Sequence, residues 1–197
     1  MLKKILLSAL IATSAFADHQ IEANVNSRDV EGQIRLDMGR MGNGSGLGRT
    51  YFGARFLKGD TNNSLTIANP DPLMEVSFMV QNSVRGVPGL NLGLGIKGEY
   101  TKIDGNNYAA IPLGLEAELQ LPLHTPFPFY VGGALYYAPQ ALSFKEGSSY
   151  MESRLHLDME PIDNGRIEIG YRQIDTNLKT RDVTYNDSWY FGLRLDF

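Results

Sequence analysis

Three histidines, His19, His124 and His156, are the first residues to test for chemistry. His156 stands two residues from Asp158 and four from Glu152, a spacing that puts all three side chains on one face of a strand. A His with an orienting carboxylate is half of a hydrolytic site, and the other half is a nucleophile. A lipid-acting hydrolase would carry Ser two residues after the His, where this chain has Asp158. A protease built from two acid–His pairs would need a second pair, which the sequence does not offer. The simpler reading is a salt-bridge network, and no catalytic residue is assigned. Glu99, Glu116 and Glu118 suit a cation path or a divalent ion, and more simply suit pairing with Lys97 and other bases. The Gly-rich stretch 42–48 lacks the GK[ST] ending of a phosphate loop and no helix follows it, so it reads as a turn. With no Cys in the chain, thiolate nucleophiles, disulfides and Cys-ligated metals are excluded. The sequence therefore predicts no cofactor, no metal and no enzyme.

Charge narrows the partners. The chain has 18 Lys and Arg against 22 Asp and Glu, a net charge of −4, which excludes a generic polyanion binder and with it nucleic acid. Residues 1–17 place Lys3 and Lys4 before a short apolar run and end on Ala15-Phe16-Ala17, the pattern of a cleaved secretory signal. The run is too short for a spanning helix, which takes about 20 residues. No Cys follows it to accept a lipid anchor. Removing the two Lys leaves 16 basic residues against 22 acidic ones, so 18–197 carries −6 as a single domain. His19, just past the cleavage site, is expected to be disordered, and His124 lies in a Pro-rich turn.

The remainder alternates with period two. Strands are predicted at 20–26, 31–39, 50–58, 73–82, 90–100, 111–121, 129–138, 151–160, 165–174 and 188–197, separated by Gly, Asn, Asp and Pro clusters. The breaks at 59–72, 139–149 and 175–187 read as long loops, 101–107 as a break, and 83–89 and 161–164 as short turns. A soluble sandwich alternates too. Here the polar face is charged and Gly-rich while the other is nearly pure Leu, Ile, Val and Phe. Tyr100, Tyr108, Phe127, Phe129, Tyr130, Tyr137, Tyr150 and Trp189 gather near strand ends, as interfacial girdles require. The fold predicted is all-β: a closed antiparallel transmembrane β-barrel of ten strands, with eight as the alternative. Closure follows because an open edge would strand N–H and C=O groups in hydrocarbon.

The last residues, SWYFGLRLDF, place Trp189, Phe191, Leu193, Leu195 and Phe197 at every second position. On a soluble protein that edge would invite aggregation; as a closing barrel strand it also suits an outer-membrane assembly signal. The runs FPFYVGGALYYAPQALSF and SRLHLDMEPIDNGRIEIGYR, with the terminal WYFGLRLDF, resemble the YfaZ family of outer-membrane proteins. The resemblance is strongest from about residue 108 onward. It implies an outer-membrane barrel and brings no catalytic or ligand residues.

The expected partners are outer-membrane lipid, lipopolysaccharide and the outer-membrane assembly machinery. Asp60, Asp71, Asp175, Asp182 and Asp187 could hold calcium bridging lipopolysaccharide, although their spacing matches no calcium loop. The function expected is a structural or narrow, porin-like channel role in the Gram-negative envelope; the alternative is a surface-binding or lipid- or peptide-acting enzyme using the outer loops. Pairing opposite charges directly across strands sets an expected lumen register. Index sums of 324 across 161–164 and 362 across 175–187 would build the ladders Asp158–Arg166–Asp196 and His156–Glu168–Arg194, with Glu152 opposite Arg172.

Overall fold

Ten residues of extended chain, tilted, are about what a bilayer's hydrocarbon needs from one strand. The computed structural model describes residues 19–40, 48–59 and 71–197, and builds from them strands of that order. They are β1 (Gln20–Val25), β2 (Asp29–Arg40), β3 (Arg49–Gly59), β4 (Leu73–Ser83), β5 (Leu90–Ile103), β6 (Asn106–Ala110), β7 (Leu113–Gln120), β8 (Phe129–Ala138), β9 (Ser143–Lys145), β10 (Gly147–Ile162), β11 (Gly165–Leu178) and β12 (Thr184–Asp196). The signal segment 1–17, the Gly-rich 42–47 and Asp60 lie outside the described residues.

All pairing is antiparallel. β1 pairs with β12, neighbours follow in turn, and β4 meets β5 to close the wall. Ten strands form the barrel. β6 and β9 are short additions to one rim: β6 continues the line of β7 after a break at Ile111 and Pro112, and β9 pairs with β6. The predicted ten strands each fall on a barrel strand. The first described residue and the C-terminus lie at the same end, where the backbones of His19 and Phe197 exchange hydrogen bonds of 2.9 and 2.8 Å. His19 is therefore not disordered. It is 7% exposed, its Nδ1 accepts the amide of Asp37 at 3.0 Å, and its ring meets Phe197 edge-on at 5.7 Å.

The outward alternate positions form an apolar belt. Phe52, Phe56, Val76, Phe78, Leu94, Leu115, Leu155, Ile169, Phe191 and Leu193 are all exposed. A soluble sheet would turn such a face inward; a lipid-facing barrel wall needs it outside. Among the described residues no helix is long and apolar enough to cross a membrane.

Beyond the belt, at the end away from the termini, the strands continue and the pattern inverts. On β11, Ile167 and Ile169 face out and Arg166, Glu168 and Arg172 face in; further along, Ile174 and Leu178 are buried while Gln173, Asp175 and Asn177 occupy the outer phase. Outward side chains there are polar, and inward ones pack together. This corrects two expectations. The segment 175–187 is mostly strand, with a connection of only 179–183. Residues 101–107 are a hairpin whose Asp104 and Gly105 both take positive φ (49° and 80°), the Asp-Gly signature of a two-residue turn. The aromatic girdle is also only partial: Tyr100, Phe127, Tyr137 and Trp189 are exposed, but Tyr108 and Tyr150 are fully buried inside, and Tyr130 lies under Arg166.

The register differs from the one expected. Arg154 lies opposite Arg172 and Asp158 opposite Glu168, a sum of 326; Arg166 lies opposite Arg194 and Glu168 opposite Gly192, a sum of 360. Two causes override direct charge pairing. The turn of Asp163 and Asn164 sets Ile162 against Gly165, and a bulge between Met159 and Ile162 then fixes the frame. Bulky inward side chains also need glycine beside them. A Cβ on Gly170 would strike the Tyr190 ring, and one on Gly132 the His156 ring. A cross-strand ion pair offers only about 0.2–1 kcal/mol against such collisions.

Candidate functional site: a lumen in two parts

The inward phase of every strand converges on a lumen, and its residues divide by height. Toward the termini lies a polar vestibule of about 570 Å³, lined by Gln20, Arg35, Gln81, Asn91, Glu116 and Asn164 among others. At the far end Leu57, Leu73, Ile103, Tyr108, Tyr150, Ile174, Leu178, Val183 and Tyr185 form one buried apolar cluster that fills the interior. Burial pushes the phenols of Tyr108 and Tyr185, beyond the belt, above the usual tyrosine range. The Tyr185 hydroxyl donates to the Asp71 carbonyl at 2.7 Å, tying β12 to the start of β4.

Between vestibule and plug sits a layer of buried charge. Arg55 makes a two-pronged contact with Glu152, 2.5 and 2.9 Å, reaches Glu99 at 3.4 Å, and also pairs with Glu75. Lys97 bridges Glu152 at 2.8 Å and Glu75 at 3.2 Å, and its ammonium stands 3.9 Å over the Tyr136 ring. Alongside, Arg154 reaches Glu31 at 2.6 Å and Glu22 at 3.1 Å, while Arg172 pairs with the other oxygen of Glu31. Glu31 thus lies between the two arginines that the register sets opposite each other, which is why that pairing is tolerated.

Nearer the vestibule, Arg194 pairs with Asp158 and reaches Glu118 at 3.3 Å; Arg166 reaches the same Glu118 oxygen at 3.1 Å. His156 Nδ1 lies 2.8 Å from Asp158, and the Tyr190 hydroxyl donates to Glu168 at 2.5 Å. Arg35 grips Glu116 with both terminal nitrogens, at 2.9 and 3.2 Å.

All eight residues read from the sequence as a lumen network, Asp158, Arg166, Asp196, His156, Glu168, Arg194, Glu152 and Arg172, lie on the inward phase. Their partners differ from the ladders expected. Arg166 stands 3.9 Å from both Asp158 and Asp196, outside hydrogen-bond range, and Glu152 belongs to Arg55 and Lys97, not Arg172. The reason is reach: in a narrow lumen long side chains cross to other strands. Sequence reasoning passed over Arg35, Arg55, Glu22, Glu31 and Glu75, all on β1–β4. Their signal was present in the alternation of Phe52, Ala54 and Phe56 with Gly53, Arg55 and Leu57.

Two groups bring three metal-ligating side chains within 4.8 Å of one another: His156, Asp158 and Glu168, and Glu75, Glu99 and Glu152. In the first, Arg194 and Tyr190 already hold the carboxylates. Trp189, Phe191, Leu193 and Leu195 are exposed on the belt, and Phe197 is half-buried against His19.

A family model described as "YfaZ precursor" matches residues 78–197, which is more than half of the chain. The chain belongs to the YfaZ family. The match begins within β4 and takes in the strands that supply Lys97, Glu99, Glu152 and Arg172. Among solved structures, a crystal structure of the NanC porin aligns with a TM-score of 0.46 and 12% identity, over 92% of this chain and 99% of that one. None of the curated proteins matches the chain.

Proposed function

We propose that this YfaZ family member is an integral outer-membrane barrel with a structural or narrow-channel role, closed at rest. The terminal end then faces the periplasm, residues 1–17 are removed on export, and the plugged end faces outward. The observation that carries the reading is the vestibule of about 570 Å³ that ends blindly at buried charge and an apolar plug, inside a wall with an apolar exterior. A ten-stranded barrel lies just above the size at which side chains fill the interior, far from the sixteen strands of open porins. The exposed Trp189, Phe191, Leu193 and Leu195, with Phe197 locking the wall at β1, suit recognition by the assembly machinery. Lipid and lipopolysaccharide are the partners of the belt, and no catalytic step is assigned.

Planar-bilayer recording of the refolded chain tests this. Conductance steps far below those of general porins, or none at rest, are expected. Trimming the plug with Tyr108→Ala and Tyr185→Ala should raise conductance. Steps of general-porin size from the unaltered chain would contradict closure. Recovery of the protein as a soluble periplasmic species, with no gel shift between boiled and unboiled samples, would end the membrane reading.

A further inference from the structure

The middle layer of the lumen is one positive charge short. Arg55 and Lys97 face Glu75, Glu99 and Glu152, and all five side chains are at most 5% exposed. Two cations against three carboxylates leaves one charge uncompensated among side chains almost wholly removed from solvent, a costly arrangement. The nearest further cation, Arg154, is 3.9 Å from Glu152 and already engaged by Glu22 and Glu31.

The geometry locates the deficit. Glu152 is saturated by Arg55 and Lys97. Glu75 and Glu99 lie directly opposite each other on β4 and β5, and Glu75 Oε1 and Glu99 Oε2 are buried with no hydrogen-bond partner. We propose that Glu75 and Glu99 bind a single proton between them at neutral pH, as a carboxyl–carboxylate pair. One carboxyl group donates its O–H to the facing carboxylate, which supplies the missing partner and brings the layer to two charges of each sign. The groups facing the pair are Arg55 from β3, Lys97 from β5, Tyr108 from β6, Tyr136 from β8, and Tyr150 and Glu152 from β10. The Tyr150 hydroxyl lies 3.2 Å from Glu99 Oε1 and 3.0 Å from Glu152 Oε2, so its one proton cannot serve both. A metal ion fits less well, because it would sit beside Arg55 and Lys97 and be repelled by both. A proton needs no coordination shell.

Infrared spectroscopy of the folded full chain in detergent micelles reads the proton directly, as the carbonyl stretch of a buried carboxylic acid. At pH 7 the unaltered protein should show this band, and Glu75→Gln and Glu99→Gln should each abolish it. Each single variant leaves two carboxylates for two cations, so its denaturant midpoint should equal or exceed that of the unaltered chain. The double variant, with one carboxylate for two cations, should fall below both. Absence of the band in the unaltered protein at pH 7 overturns the proposal, as does its persistence in both single variants. Should neither variant fold, the unaltered chain still decides: its band must disappear at alkaline pH while the gel shift of the folded barrel persists. A midpoint that rises with added sodium or magnesium, with no band, would assign the charge to a metal ion instead.

Discussion

The two halves of the lumen solve the same problem in opposite ways. Near the termini the interior is wide enough to hold polar side chains with solvent, and Arg35, Arg166 and Glu118 keep 14–21% of their side-chain surface exposed. At the far end the interior is dry, and Leu57, Leu73, Ile103, Tyr108 and Tyr150 are wholly buried. Both halves share one wall and one in–out phase. What changes is the exterior: where the outward face is apolar the interior is polar, and where the outward face turns polar the interior is an apolar core. The charged layer of Arg55, Lys97 and the three glutamates sits where the two regimes meet, and all five of its residues are buried.

Substitutions that separate the halves should differ in size. The largest loss is expected from Arg55→Ala, which leaves Glu75, Glu99 and Glu152 with Lys97 alone; breaking a buried ion network costs about 3–5 kcal/mol, and equilibrium unfolding in detergent should show it. Leu73→Ala in the plug comes next: a fully buried Leu replaced by Ala costs about 2–5 kcal/mol through lost burial and the cavity left behind. On the outside, Leu193→Arg should cost about 2–4 kcal/mol if Leu193 meets the bilayer centre, and the loss should appear in lipid vesicles and shrink in small micelles. The smallest effect belongs to the vestibule. Arg166→Ala removes partly hydrated contacts to Glu118 and Glu160 and should cost at most about 1 kcal/mol. A loss from Arg166→Ala equal to that from Arg55→Ala would remove the distinction between wet and dry halves.

The outer face was legible in the sequence because lipid imposes one rule on it. Leu92, Leu94 and Ile96, or Phe191, Leu193 and Leu195, cannot be placed otherwise. The plug was less legible. Leu178, Val183 and Tyr185 sit among Asp175, Asn177 and Asp187, a mixture that reads as loop until the inversion at the belt's edge is recognised. The register was the least accessible, because it depends on a two-residue turn, a bulge and the fit of Tyr190 against Gly170. The inward placement of the charges follows from alternation alone, whereas their partners follow from distances across the lumen that no strand-by-strand reading contains. Glu31 holding both Arg154 and Arg172 is the plainest instance.

The absence of cysteine from the chain makes one measurement direct. Single cysteines at Gln81 or Asn91 in the vestibule, and at Leu73 or Ile174 in the plug, can be challenged with a polar maleimide on the folded protein in micelles. The division of the lumen predicts rapid labelling at Gln81→Cys and Asn91→Cys, and none at Leu73→Cys and Ile174→Cys until the barrel is unfolded. Equal labelling of all four folded variants would contradict it.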